Sequence, residues 1–180
     1  AKGKQLKEIL NNNPLSELYA QYTTSKKEYF ELETSNGTFN AWMIKPSNFD
    51  PSKKYPLFMT QYSGPGSQSV ANSWGGSNDL WYQMLAQKGI IVVCVDGRGT
   101  GLKGRDFKKV TQKELGKYEV EDQIAAAKKL AERNFIDKEN IGIWGWSYGG
   151  FMSTNCLLKG NDIFTTAIAV APVISWRFYD

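Results

Sequence analysis

No histidine occurs anywhere in the 180 residues. That absence removes from this chain the base that a nucleophilic serine ordinarily uses. Cysteine is nearly absent too: Cys94 and Cys156 fit no metal-ligand spacing. Cys94 sits in an apolar run, and both read as free core thiols. No apolar run approaches the ~20 residues that cross a bilayer, so no membrane partner is expected in this segment. The start, AKGKQLKEIL, is too polar for a signal peptide. It also lacks an initiator methionine, and the expectation is a piece of a longer chain. Charge of one sign is missing as well. Net charge is +4 from 22 basic and 18 acidic residues. The densest basic stretch, Lys103 to Lys109, still contains Asp106, so no nucleic-acid partner is expected.

What is present is the composition of a globular domain, 41% apolar and 13% aromatic. The first 25 residues are polar, and Leu15, Leu18 and Tyr19 have the spacing of a short linking helix. Tyr29 to Thr34 and Phe39 to Lys45 flank Ser35-Asn36-Gly37, the signature of a β-hairpin. Leu57 to Tyr62 is a strand with Pro56 at its edge. Ser77 is positioned to cap a helix that Gly89 ends. Ile90 to Val95 is apolar on both faces, as in a parallel strand covered by helices. Val120, Ile124, Ala127 and Ala131 share one helical face. Glu119, Glu121 and Asp122 in its first turn, with Lys128, Lys129 and Arg133 in its last, match the helix dipole. Ile141 to Trp144 is the next strand, Tyr148 to Leu158 a helix, and Thr165 to Ala171 a further strand. Hairpin, then β-α-β-α-β-α-β, predicts an α/β sheet that is parallel after the hairpin, with crossover helices.

Gly145-Trp146-Ser147-Tyr148-Gly149 matches G-x-S-x-G between a strand and a helix. A serine presented beyond a sheet needs a sharp turn, and glycines on either side avoid collisions between strand and helix. The helix then offers the Tyr148 amide to a developing oxyanion. The alternative is a glycine-rich loop that fits the pattern by accident. Tyr62 ends an earlier strand at TQYSGPGSQS, where its phenol is a candidate second oxyanion donor or an ordinary packing aromatic. Gly99 to Gly104 also fits G-x-G-x-x-G. The residues after it lack a strong apolar helical stripe, and Glu119 and Glu121 open a helix rather than end a strand. No nucleotide cofactor is therefore expected, and these glycines read as a tight loop beside the serine.

GWSYGG followed by AIAVAPVISWRFYD, with YSGPGSQ, DGRGTG and ELGKYEVEDQ, resembles the dipeptidyl peptidase IV branch of the prolyl oligopeptidase family along nearly the whole chain. Trp146 favours that branch, and FDPSKKYPLFMTQYSGPGSQSV is most like its bacterial members. The resemblance implies a truncated α/β-hydrolase fold in residues 26–180, preceded in 1–25 by a connecting segment from a β-propeller that is not in this sequence. It implies Ser147 as the nucleophile, and the Tyr148 amide and Tyr62 hydroxyl as the oxyanion donors. It implies Val173, Trp176 and Tyr179, with Tyr148, as the wall of a pocket for a penultimate proline. By residue chemistry alone, PVISWRFYD reads as a strand end and a helix with buried aromatics. The resemblance further implies peptide substrates with penultimate Pro or Ala, no metal or cofactor, a homodimeric parent and a periplasmic, cell-surface or secreted location.

The departures matter equally. After Ser147 the sequence holds Asp162, Asp180 and no histidine, so the triad acid and base are expected beyond this chain. This segment alone is expected to be inactive, and its unpaired sheet edge to invite self-association. An esterase or lipase of the same fold, or a non-catalytic partner-binding piece, remain the other readings.

Overall fold

A computed structural model describes residues 3–179. A short helix, α1 (Asn13–Tyr19), leads into the hairpin β1 (Glu28–Thr34) and β2 (Gly37–Ile44). Then follow β3 (Tyr55–Thr60), α2 (Ser77–Gln87), β4 (Ile91–Asp96), α3 (Arg105–Lys109) and α4 (Tyr118–Ala131). The chain continues through β5 (Ile136–Trp146), α5 (Tyr148–Lys159), β6 (Thr166–Val170) and a 3-10 turn, Trp176–Phe178. The strands form a six-stranded sheet in the order β1-β2-β4-β3-β5-β6. Only β1–β2 and β2–β4 are antiparallel; β3–β4, β3–β5 and β5–β6 run parallel.

β4 organises the core because every residue in it is buried. Ile91, Val93 and Val95 face one cluster with Ala126, Ala127 and Leu130 of α4 and Met152 and Cys156 of α5. Val92 and Cys94 face the other, with Trp42 of β2 and Tyr82 and Ala86 of α2. The period of two thus sends alternate side chains under helices on opposite faces, which is why IIVVCV carries no polar residue. The two cysteines are free, buried, and in different clusters.

Several local expectations are corrected. The hairpin loop is Ser35-Asn36 alone, since Gly37 pairs with Thr34. β3 starts at Tyr55, so Pro56 is its second residue and lies inside the strand rather than at its edge. It is tolerated because the β3–β5 register shifts between Tyr55 and Leu57, where a ladder N–H is not required. β5 begins at Ile136, well before Ile141; the residues between loop outward around Asp137, which accepts from the Glu139 amide and the Asn140 side chain. Ser77 is the first helical residue of α2, not its cap. Gly76 takes the cap position at φ +61, and the Asp79 carboxylate accepts the Gly75 N–H at 2.9 Å. The 99–104 glycine loop is followed by a five-residue helix, α3, with no buried residue.

The largest correction concerns α4. Val120 and Ala127 are buried, but so are Glu119, Asp122 and Gln123. The charge pattern stands, with Glu119 and Glu121 in the first turn and Lys128 and Lys129 in the last, but not all of the acids are solvated. Two of them enter the interior and take specific partners there.

Candidate active site

β5 runs into α5 through Ser147 alone, at φ +58 and ψ −113. A non-glycine residue held at positive φ costs of order 1–3 kcal/mol and persists only where its surroundings impose it. Here backbone contacts impose it. A Cβ on Gly145 would lie 2.6 Å from the Gly149 carbonyl, and one on Gly149 would lie 2.7 Å from the Gln61 carbonyl oxygen. Strand and helix therefore meet across hydrogen atoms only. The Ser147 N–H donates to Val170 O of β6 at 2.9 Å, tying the turn to the next strand. A serine at a helix cap usually bonds its hydroxyl to the first-turn amides. Ser147 makes no such bond, so its hydroxyl is left for other chemistry. The Tyr148 N–H, in the first turn, has no intrahelical acceptor and sits at the positive end of the helix.

The loop that carries Tyr62 is fastened to this turn from behind. Gln61 is buried, and its side-chain N–H groups donate to Gly149 O at 2.9 Å and Ser153 Oγ at 3.2 Å. Gln123 of α4 donates to Val95 O at 2.8 Å and to Ser63 Oγ at 3.2 Å. The glycine loop after β4 completes the clamp. Gly66 N–H donates to Gly99 O at 2.7 Å, Gly101 N–H to Ser67 O at 2.9 Å, and the Asp96 carboxylate accepts from Ser69 N–H and Val70 N–H at 2.9 and 2.8 Å. Burial pushes the Asp96 carboxyl above its ordinary value, against the pull of those two amides. The glycines of G-x-G-x-x-G thus serve the Tyr62 loop by close backbone pairing. Arg98, in the same loop, is anchored by Asp122, which accepts from its backbone N–H at 2.7 Å and from its guanidinium.

Tyr62 itself is 42% exposed. Its ring lies 6.0 Å from that of Tyr148, which lies 5.4 Å from Trp176; Trp176 in turn lies 5.3 Å from Tyr179. Phe151, one turn along α5, contacts both Tyr148 and Trp176. The structure therefore brings Tyr62, Tyr148, Trp176 and Tyr179 into one run of rings beginning at the residue after Ser147. Val173 is half-buried in the segment between β6 and the 3-10 turn, outside the core clusters. That segment is a 3-10 turn with exposed Phe178 rather than a helix with buried aromatics. Trp176 also borders an open cavity of about 680 Å³ with Pro65, Gly66 and the 108–115 loop. On the other side, Tyr62, Gly145 and Trp146 border one of about 300 Å³. Asp162 is exposed and ion-paired with Lys128 at 2.6 Å, away from the turn. Asp180 lies outside the described residues.

Residues 77–180 match the family model described as "Prolyl oligopeptidase family". This chain belongs to the prolyl oligopeptidase family. Within that family it is similar to Dipeptidyl peptidase 4 of Trichophyton equinum, 42% identical over 180 residues, with 98% of this chain covered and 23% of the relative. It is likewise similar to Prolyl endopeptidase FAP of Bos taurus, 43% identical over 177 residues, covering 98% of this chain and 23% of that protein. The crystal structure of Porphyromonas gingivalis dipeptidyl peptidase 4 superposes with a TM-score of 0.89 at 46% identity, over 96% of this chain and 24% of that one. The fold is thus the α/β-hydrolase fold that the resemblance implied, in its prolyl oligopeptidase family form. The chain spans about a quarter of the length of the relatives it matches.

Three residues at this site are not apparent from motif spacing. Gln61 supports the turn, Phe151 backs the run of rings, and Glu119 accepts a hydrogen bond from the Tyr148 hydroxyl at 2.5 Å.

Proposed function

We propose that the protein acts as a serine exopeptidase that releases N-terminal dipeptides with Pro or Ala at the second position. The observation that carries this reading is the forced turn at Ser147, followed at once by Tyr148, whose ring stands between those of Tyr62 and Trp176. The Ser147 hydroxyl attacks the carbonyl carbon that follows the second residue and gives up its proton to a base. The oxygen of the tetrahedral intermediate takes hydrogen bonds from the Tyr148 N–H and the Tyr62 hydroxyl. The C–N bond then breaks, the leaving amine takes the proton, and water hydrolyses the acyl ester on Ser147. A pyrrolidine is compact, apolar and rigid, and aromatic walls suit it; Tyr148, Trp176, Tyr179 and Val173 are the wall in this reading. No residue of the sequence supplies the base, because it holds no histidine. The base and its acid partner belong, in this reading, to chain outside these 180 residues.

The full-length protein should hydrolyse Gly-Pro and Ala-Ala chromogenic amides and label with a fluorophosphonate at Ser147. Labelling with hydrolysis of acyl esters but neither amide would give the esterase reading instead. No labelling at all would remove the nucleophile. The 180 residues alone should show no robust Gly-Pro amide hydrolysis, since loss of a triad member costs several orders of magnitude.

A further inference from the structure

We propose that Glu119 is a positioning residue for substrate selection: its buried carboxylate holds the phenol of Tyr148, and so sets the angle of the ring that walls the pocket. The inference rests on the peptidase reading of the Ser147 site and assigns a residue to it from another element.

Glu119 is 1% exposed, in the first turn of α4. One carboxylate oxygen accepts from the Tyr148 hydroxyl and the other from the Gly116 N–H at 3.1 Å. Among the described residues it has no ion-pair partner. A buried carboxylate without a cation is costly, and a Leu–Phe pair of similar volume would pack here more cheaply. What compensates it is directional: a phenol, an amide and the positive end of a helix. A phenyl ring held by packing alone tilts and slides, whereas one bonded at its para position is fixed at both ends. Burial and the adjacent Glu119 both push the Tyr148 ionisation well above the ordinary phenol range, so the hydroxyl remains a donor throughout the working pH range.

The same carboxylate holds Gly116, at the end of the loop lining the 680 Å³ cavity. Glu119 therefore joins the Tyr148 ring to the end of the loop that borders this cavity. It does not touch the Tyr148 amide, which belongs to the backbone at the other end of the residue. Its influence is thus on the fit of the substrate's second residue rather than on the oxyanion.

The test compares Glu119→Gln, Tyr148→Phe and the double variant in the full-length protein. Each single change should raise KM for a Gly-Pro amide about tenfold, the scale of one hydrogen bond to a charged group. In Glu119→Gln the rate of fluorophosphonate labelling, which needs no ring in the pocket, should fall by less than KM rises. Proline should lose more than alanine at the second position, so the Gly-Pro to Ala-Ala preference should narrow. The double variant should be no worse than the poorer single, because one change weakens and the other removes the same bond. Unchanged KM in Glu119→Gln, or equal losses in labelling and on both substrates, would overturn the proposal while leaving the peptidase reading intact. A wild-type protein inactive on both amides would overturn that reading and this one with it.

Discussion

Behind Ser147 the molecule is held by backbone, and in front of it by rings. At the back, the Gly149 and Gln61 carbonyls approach the turn so closely that no side chain fits, and Gln61 and Ser153 are buried against them. At the front, Trp176 is half-buried, while Ile174 and Phe178 are 90% and 82% exposed. The two regions are adjacent in space but are determined differently. Peptide groups have fixed size, so the angle of the nucleophile has almost no freedom to drift. Side chains come in many sizes, so the wall that chooses the substrate is open to change without loss of the turn. Variants that separate or fuse these two behaviours test the comparison directly.

The largest effect should come from Ser147→Ala. Turnover of Gly-Pro amide in the full-length protein should fall by several orders of magnitude, with circular dichroism unchanged. The turn is imposed by Gly145 and Gly149, and so should survive the loss of the hydroxyl. A variant that keeps normal turnover would remove Ser147 from the mechanism; one that unfolds would show that the serine helps to hold the turn.

Gly149→Ala should come next, and it should damage the fold. The added carbon meets the Gln61 carbonyl oxygen at 2.7 Å, an atom that moves only if β3 moves. Overpacking of this kind costs about 1–3 kcal/mol or more, readable as a lowered melting temperature alongside lost activity. Trp176→Ala is the matched change at the front. It should raise KM for the Gly-Pro amide strongly, while lowering stability less than Gly149→Ala, because only part of the indole is buried. If Trp176→Ala destabilised the protein more, the contrast between a backbone-held rear and a ring-held front would fail.

The same contrast explains what was legible in the sequence. The turn was legible because its constraint is steric and local: G-x-S-x-G between an apolar strand and a helix has few other uses. The layered α/β order was legible from the apolar run of β4 and the alternation of elements. Pro56 was set just outside its strand because the register shift that spares its N–H arises from pairing with β5. Nothing near it in sequence says that β3 lies between β4 and β5. Glu119 and Asp122 were read as dipole partners because first-turn acids satisfy that rule whether or not they are buried. Their partners, Tyr148 and Arg98, lie 29 and 24 residues away. One signal was available: Glu119, Asp122, Gln123, Ala126 and Leu130 recur at helical spacing, and this polar-to-apolar stripe is the buried face of α4. Gln61 had no such signal, since it acts from a loop.

The smallest effect concerns the clamp on the Tyr62 loop, the one part of the rear that is held by charge. Asp96 receives the Ser69 and Val70 amides, and burial raises its carboxyl above the ordinary value of 3.8. A carboxyl raised in the folded state binds its proton more tightly there than in the opened loop. Its contribution to stability is therefore present at low pH and declines as pH rises through the folded value. Asp50 and Asp162 have lowered values and act in the opposite sense, losing their contribution only as pH falls through those lower values. Hydrogen exchange of the segment 63–71, corrected for intrinsic rates, should thus show protection that weakens as pH rises from the ordinary carboxyl value of 3.8 through the raised Asp96 value and then levels off. Asp96→Asn does not titrate and should flatten that slope, whereas the amides around Gly149, held by uncharged groups, should show no slope in either protein. A slope that persists in Asp96→Asn would place the titrating group elsewhere in the loop and return Asp96 to the same pH-insensitive class as Gln61.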